Sequence, residues 1–242
     1  MASHARVTLF DLPGHGETRF PSGSSRYTFE VMVDDLADAA RRIGIDRATW
    51  CGYSLGGRVA LSLTIRHPDL VSSLVLESGS PGLADQDVRL ERQRLDDALA
   101  SRIELNGVAR FVDEWESLPL WQSQRSLAAD VLARQRDVRL RNTENGLANS
   151  LRCLGQGSQP SYWSRLRDIQ APVLLLTGEL DTKYVDIAVE MAKNLPRAQV
   201  VVVPGVGHSV HLEAPAVFSE ILKDFMNGST KLESQPGVEM IV

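Results

Sequence analysis

The pentapeptide Gly52-Tyr53-Ser54-Leu55-Gly56 constrains this chain more than any other feature, because of what flanks it. Ala48–Gly52 (ATWCG) reads as a short strand, and Gly57–His67, ended by Pro68, reads as a helix. A chain passing from strand to helix in so few residues must turn sharply, and glycines beside the serine give the backbone freedom to do so. In such a turn the Ser54 hydroxyl stands clear of the main chain in a sparsely allowed conformation. The helix start aims its N–H groups and positive dipole end at the same point. This is the layout of an activated nucleophile, with the Leu55 N–H placed to stabilise a developing oxyanion.

A serine of ordinary acidity needs a base, and the base needs an orienting carboxylate. Asp181 follows the apolar run Pro172–Gly178 (PVLLLTG), and His208 follows Gln199–Val203 (QVVVV). Both therefore stand just past strand C-termini, where parallel sheets assemble their sites. The other histidines fit less well: His4 lies at the start, His15 in the DLPGHG turn, His67 before Pro68, and His211 beyond the His208 loop.

The rest of the chain supplies the sheet. Arg6–Asp11 (RVTLFD) reads as a buried strand, Tyr27–Gly44 as an amphipathic helix, and Val71–Glu77 (VSSLVLE) as a further strand. Strand alternating with helix implies an α/β fold, a mostly parallel sheet with right-handed crossovers and helices on both faces. From Gly82 to Leu166 that rhythm gives way to arginine-rich, tryptophan-bearing helical sequence, an inserted helical cap. It resumes with Pro172–Gly178, a helix around Val185–Leu195, Gln199–Val203 and a last helix Ala216–Met226. The expected division is a core of 1–81 and 167–227, a cap of 82–166, and a disordered polar tail of 228–242.

Composition narrows the function. The 242 residues are 43% hydrophobic, and Lys+Arg 26 against Asp+Glu 31 gives a net charge of −5, which argues against a nucleic-acid partner. Cys51 and Cys153 form no CxxC or Cys/His spacing, so neither a disulfide scaffold nor a zinc site is expected, and no metal or cofactor. No apolar run approaches the ~20 residues of a membrane span, and the start lacks a signal-peptide layout. A cytoplasmic protein is expected, or a plastid one whose targeting segment is absent; the oligomeric state is left open.

The motifs DLPGHG (Asp11–Gly16), GYSLGGR (Gly52–Arg58) and PGVGH (Pro204–His208), with the order Ser54…Asp181…His208, resemble the α/β-hydrolase fold. GYSLGGR followed by ESGSPGL (Glu77–Leu83), LERQRLDD, FVDEWESLPLWQSQ and LGQGSQPSYW more specifically resembles the SHCHC synthase (MenH) family of menaquinone and phylloquinone biosynthesis, from about Val7 to Phe225. That resemblance implies a lyase. It would eliminate pyruvate from 2-succinyl-5-enolpyruvyl-6-hydroxy-3-cyclohexene-1-carboxylate, a small polyanionic substrate, with the triad removing a ring proton. It also implies substrate contacts from Arg58, Arg92 and Trp115 and from a third arginine that is either Arg136 or Arg139; Tyr53, beside the nucleophile, either offers its hydroxyl to the substrate or merely packs. Two rivals share the fold: a serine hydrolase of esters or carbon–carbon bonds, and an inactive binding protein.

The sequence departs from the family at its start. The strand and HG-type loop that normally precede DLPGHG have no counterpart, so the resemblance implies an N-terminally short chain with one oxyanion donor fewer and weakened activity. Either the chain is a fragment, or Arg6–Asp11 moves inward to pair with the nucleophile strand.

Overall fold

The computed structural model of the chain describes residues 5–20 and 27–228 and the backbone of 239–241. Four parallel strands form the sheet: β1 (Ala48–Tyr53), β2 (Val71–Glu77), β3 (Val173–Gly178) and β4 (Ala198–Val203), in the order β1-β2-β3-β4. β3 is buried at every position and β2 from Leu74 to Glu77, as expected of strands covered on both faces. Alternate side chains point to opposite faces. On one face Leu74, Leu76, Leu175 and Val200 pack beneath α1 (Phe29–Arg42), α2 (Leu55–Arg66) and α6 (Thr182–Ala192), through Phe29, Met32, Leu61, Leu63 and Met191. On the other, Val75, Leu174, Leu176 and Val201 pack with Val210 of α7 (Val210–Glu213) and with Ile221 and Leu222 of α8 (Pro215–Met226).

Between β2 and β3 every regular element is helical: α3 (Gln86–Glu116), a 3-10 segment Pro119–Ser126, α4 (Ala129–Leu140), α5 (Glu144–Leu154) and a second 3-10 segment Trp163–Asp168. Asp85 starts α3 by accepting from the N–H groups of Asp87 and Val88. At Gly107 the backbone leaves helical space (φ 83°, ψ 165°), which breaks α3 into two arms. Ile103 before the break, Val108 and Val112 after it, and Leu147 of α5 bury one another. The insertion is lashed back to the core at its return, where Tyr162 and Ser62 share a 2.7 Å hydroxyl contact and Trp163 Nε1 donates to the Gly82 carbonyl at 3.0 Å. At the DLPGHG turn, Gly14 (φ 86°) lets the backbone press against Gly146 of α5, where a Cβ would meet the Gly146 carbonyl.

Two expectations are corrected. Arg6–Asp11 forms no strand and does not pair with β1; Val7 and Leu9 are 52% and 89% exposed, while Phe10 stacks on Trp50 at 6.0 Å. A strand needs a ladder as well as an apolar run, and among the described residues β1 pairs only with β2. The tail is not wholly frayed either. Residues 239–241, β5 (Glu239–Ile241), add antiparallel to β4 with Val201 opposite Met240, occupying the edge that β4 would otherwise expose. The remaining tail positions 229–238 and 242, like His4, lie outside the described residues. Among the described residues no helix is long and apolar enough to cross a membrane.

The ends of β3 and β4 touch. A Cβ on Gly178 would run into the carbonyls of Val206 and Gly207, so the loop carrying His208 rests directly on the last residue of β3. Gly178→Ala is expected to lower stability by about 1–3 kcal/mol through overpacking. It should also slow labelling of Ser54 by a fluorophosphonate, because His208 is displaced. Urea denaturation and labelling rate are the measurements; an unchanged labelling rate would show that the loop absorbs the methyl group elsewhere.

Candidate active site

Ser54 is the N-cap of α2, at φ 49° and ψ −107°, a conformation that costs a non-glycine residue on the order of 1–3 kcal/mol. Two features hold it. The Ser54 N–H donates to the Glu77 carbonyl across the β1–β2 ladder at 2.9 Å, and its own carbonyl accepts the first helical bond from Arg58 N at 3.1 Å. Gly52 makes the turn possible, since a Cβ there would strike the Gly56 carbonyl. The Ser54 side chain makes no capping bond, so its hydroxyl is free for chemistry. Leu55 is the first residue of α2, so its N–H has no partner within the helix and sits beside the hydroxyl.

His208 Nε2 lies 3.1 Å from Ser54 Oγ, and Nδ1 lies 2.5 Å from Asp181 Oδ2. The carboxylate accepts from Nδ1–H, which leaves Nε2 as the acceptor facing the serine. Both groups are buried, His208 at 2% and Asp181 at 8% exposure. Asp181 is the N-cap of α6, three residues beyond β3. The His208 loop is fixed on several sides: Ser78 Oγ donates to the His208 carbonyl at 3.0 Å, and Glu213 accepts from the N–H groups of Gly207 and Ser209. Around the imidazole stand the rings of Tyr184 at 4.9 Å, Tyr53 at 5.2 Å and Trp121 at 5.6 Å.

The expected substrate residues fall into different settings. Arg58 is buried, donating to the Leu154 carbonyl at 2.9 Å and to Gln159 Oε1 at 3.3 Å, with no carboxylate in ion-pair range among the described residues. Burial pulls its guanidinium down to about 10, partly offset by Tyr184 and Asp96, so it stays charged at neutral pH. Arg92 is held by Asp96 at 2.8 Å and by Gln156 at 3.1 Å, and Gln156 in turn donates to the Tyr184 hydroxyl. Trp115 packs on Phe111 and on Trp121, reaching the triad only through the latter. Arg136 and Arg139 separate clearly. Arg136 is paired with Asp113 and Glu116, whereas Arg139 pairs with Glu116 and lies at 5.7 Å over Trp121, the ring that packs on His208. Tyr53 is hydrogen-bonded to Ser209 Oγ at 2.6 Å.

Several neighbours had not been singled out from sequence. Trp121 and Gln124, three apart in the 3-10 segment, share a face because that helix repeats every three residues. Tyr184 is carried in by the first turn of α6. Glu77, 1% exposed at the end of β2, accepts from the His211 N–H at 3.0 Å and faces its Nδ1 at 2.8 Å. The alternation of β2 could have flagged Glu77, a carboxylate closing an apolar run. Among the described residues no group of three or more His, Cys, Asp or Glu side chains converges as metal ligands.

A strained serine between strand and helix, with its histidine and carboxylate delivered from two later strand ends, defines a Ser-His-Asp enzyme of the α/β-hydrolase class. The alpha/beta hydrolase fold family matches residues 1–215. A Bacillus subtilis (strain 168) protein assigned as 2-succinyl-6-hydroxy-2,4-cyclohexadiene-1-carboxylate synthase is 44% identical over 226 residues, covering 93% of this chain and 82% of that one. The synthase of the same name from Escherichia coli O1:K1 is 33% identical over 217 residues, covering 89% and 81%. The solved structure of MenH from S. aureus superposes with a TM-score of 0.86 at 36% identity, over 90% of this chain and 82% of that one. This chain belongs to the α/β-hydrolase fold family and, within it, to the SHCHC synthases.

Glu77 ties the elbow to the histidine loop, its carbonyl holding Ser54 and its carboxylate holding His211. Glu77→Leu leaves the His211 N–H without its acceptor and is expected to cost about 1–3 kcal/mol in urea unfolding. Stability equal to the parent protein would show that the pair contributes nothing.

Proposed function

We propose that this protein eliminates pyruvate from 2-succinyl-5-enolpyruvyl-6-hydroxy-3-cyclohexene-1-carboxylate, with Ser54, His208 and Asp181 as the proton-handling group. His208 takes the Ser54 proton while the serine oxygen removes a proton from the ring carbon. The electron pair left on that carbon, C2, forms the C2=C3 double bond, the C3=C4 pair shifts to C4=C5, and the C5–O bond to the enolpyruvyl group breaks. The departing enolate takes the proton back through His208 and becomes pyruvate. Asp181 fixes the imidazole tautomer and stabilises the transient imidazolium. The N-terminal N–H groups of α2, Leu55 among them, face the charge that develops beside Ser54.

The observation that carries this reading is Arg58: a buried, charged guanidinium without a carboxylate partner among the described residues, close to Tyr184 and hence to His208. An esterase pocket for neutral substrates has no use for such a group, whereas a substrate with several carboxylates supplies its missing counter-charge. Arg92 on α3 and Arg139 on α4 are the further cations, and Trp115 and Trp121 form an aromatic wall. Arg136, already neutralised by two carboxylates, is assigned no substrate contact. The insertion acts as the cap over the site.

The test is pyruvate release from that substrate. Ser54→Ala should abolish it. Arg58→Met should reduce it by about 10- to 150-fold, the equivalent of about 1.5–3 kcal/mol for one charge-assisted contact, while changing turnover of a small neutral ester little. Equal losses on both substrates, or no pyruvate from the parent chain, would overturn the reading.

A further inference from the structure

We infer that Gln124, on the inserted helical segment, is a positioning residue that turns the Tyr53 hydroxyl outward as a hydrogen-bond donor to the substrate. The inference rests on the functional reading above and adds a residue to it. Its basis is a count of hydrogens along the chain Gln124–Ser209–Tyr53.

Gln124 is 3% exposed and Ser209 2% exposed. Gln124 Nε2 donates to Ser209 Oγ at 3.0 Å, and Ser209 Oγ lies 2.6 Å from Tyr53 Oη. Among the described residues Ser209 Oγ has no third partner. A hydroxyl carries one hydrogen and two lone pairs. Gln124 occupies one lone pair, so the Ser209–Tyr53 contact can run in two directions. Were Tyr53 the donor, Ser209 would accept twice and its own hydrogen would be buried without an acceptor, which is expensive. With Ser209 as donor, its hydrogen goes to Tyr53 Oη, the Ser209 hydroxyl is satisfied, and the phenolic hydrogen of Tyr53 is left over. Among the described residues no acceptor takes that hydrogen. Tyr53 precedes the nucleophile and its ring packs on His208, so the spare donor belongs to the reaction site.

The amide polarity of Gln124 sets this direction. The segment that carries it is firmly seated: Trp121 packs edge-on against His208, and the Ser123 side chain fills the space where Gly207 lacks a Cβ. The donor at Tyr53 is therefore set only when the insertion is docked on the His208 loop.

Replacing the amide nitrogen by oxygen reverses the chain. In Gln124→Glu the carboxylate accepts from Ser209, Ser209 then accepts from Tyr53, and the phenolic hydrogen turns inward. Pyruvate release by the full chain would be compared across Y53F, Q124E, the double variant and Q124M, which removes the amide without supplying an acceptor. Y53F and Q124E should each lower kcat/KM by roughly 10- to 150-fold, and the double variant should fall no further than about threefold below either. Q124M should fall between the parent and Q124E, because without the amide Ser209 donates to Tyr53 in only part of the molecules. Q124E at the parent rate, losses that multiply in the double variant, or Q124M as impaired as Q124E would overturn the inference. A parent chain that releases no pyruvate would overturn the functional reading and this inference with it; the two failures differ in whether the parent rate is present.

Discussion

The hydrogen bond from the Ser54 N–H to the Glu77 carbonyl is the constraint on which the remainder of the site depends. It extends the β1–β2 ladder one residue past the strand and holds a serine in backbone space that serine would not choose. Gly52, with no side chain to collide with Gly56, lets α2 begin immediately, so the hydroxyl and the helix start share one point. Everything else approaches that point. β3 and β4 end beside it, their exit loops are bonded to each other through Glu179 and Gly205, and the histidine arrives on the second of them.

The same interaction explains why the sheet, more than the helices, determines the chemistry. Four parallel strands in chain order put four loop ends in a row, and Ser54, Asp181 and His208 follow β1, β3 and β4. The helices of the insertion contribute surfaces to this row: Trp121 on the imidazole, Gln124 on Ser209, and Arg139 over Trp121. The insertion thus adds groups around the triad without supplying a member of it.

Much of this was legible in the sequence, for identifiable reasons. Strands such as Val71–Glu77 and Val173–Gly178 are buried on both faces, so their apolar runs are unambiguous, and the triad residues follow them at loop positions with little else to occupy them. Arg6–Asp11 misled because an apolar run records a wish to be buried, while a strand also requires a partner edge. Glu239–Ile241 was overlooked for the converse reason: a short segment with a weak pattern becomes a strand when β4 offers its edge. Trp121 and Gln124 were hidden because their three-residue spacing means a shared face only in a 3-10 helix, which periodicity alone does not announce. The choice between Arg136 and Arg139 likewise required knowing that Asp113 and Glu116 neutralise the first.

The break at Gly107 bears on how the insertion packs. As an unbroken rod, the 31 residues of α3 would be about 46 Å long, more than the width of the sheet they are meant to cover. Such a rod would carry its far end, and Trp115 with it, out into solvent. One residue without a side chain, tolerating φ 83°, breaks that length so that Ile103 of the first arm and Val108 and Val112 of the second bury against Leu147 of α5. Where along α3 the bend falls therefore decides which side chains of the second arm meet α5. Moving the glycine by one position would rotate the second arm by about 100° about its axis, presenting a different stripe of side chains to α5.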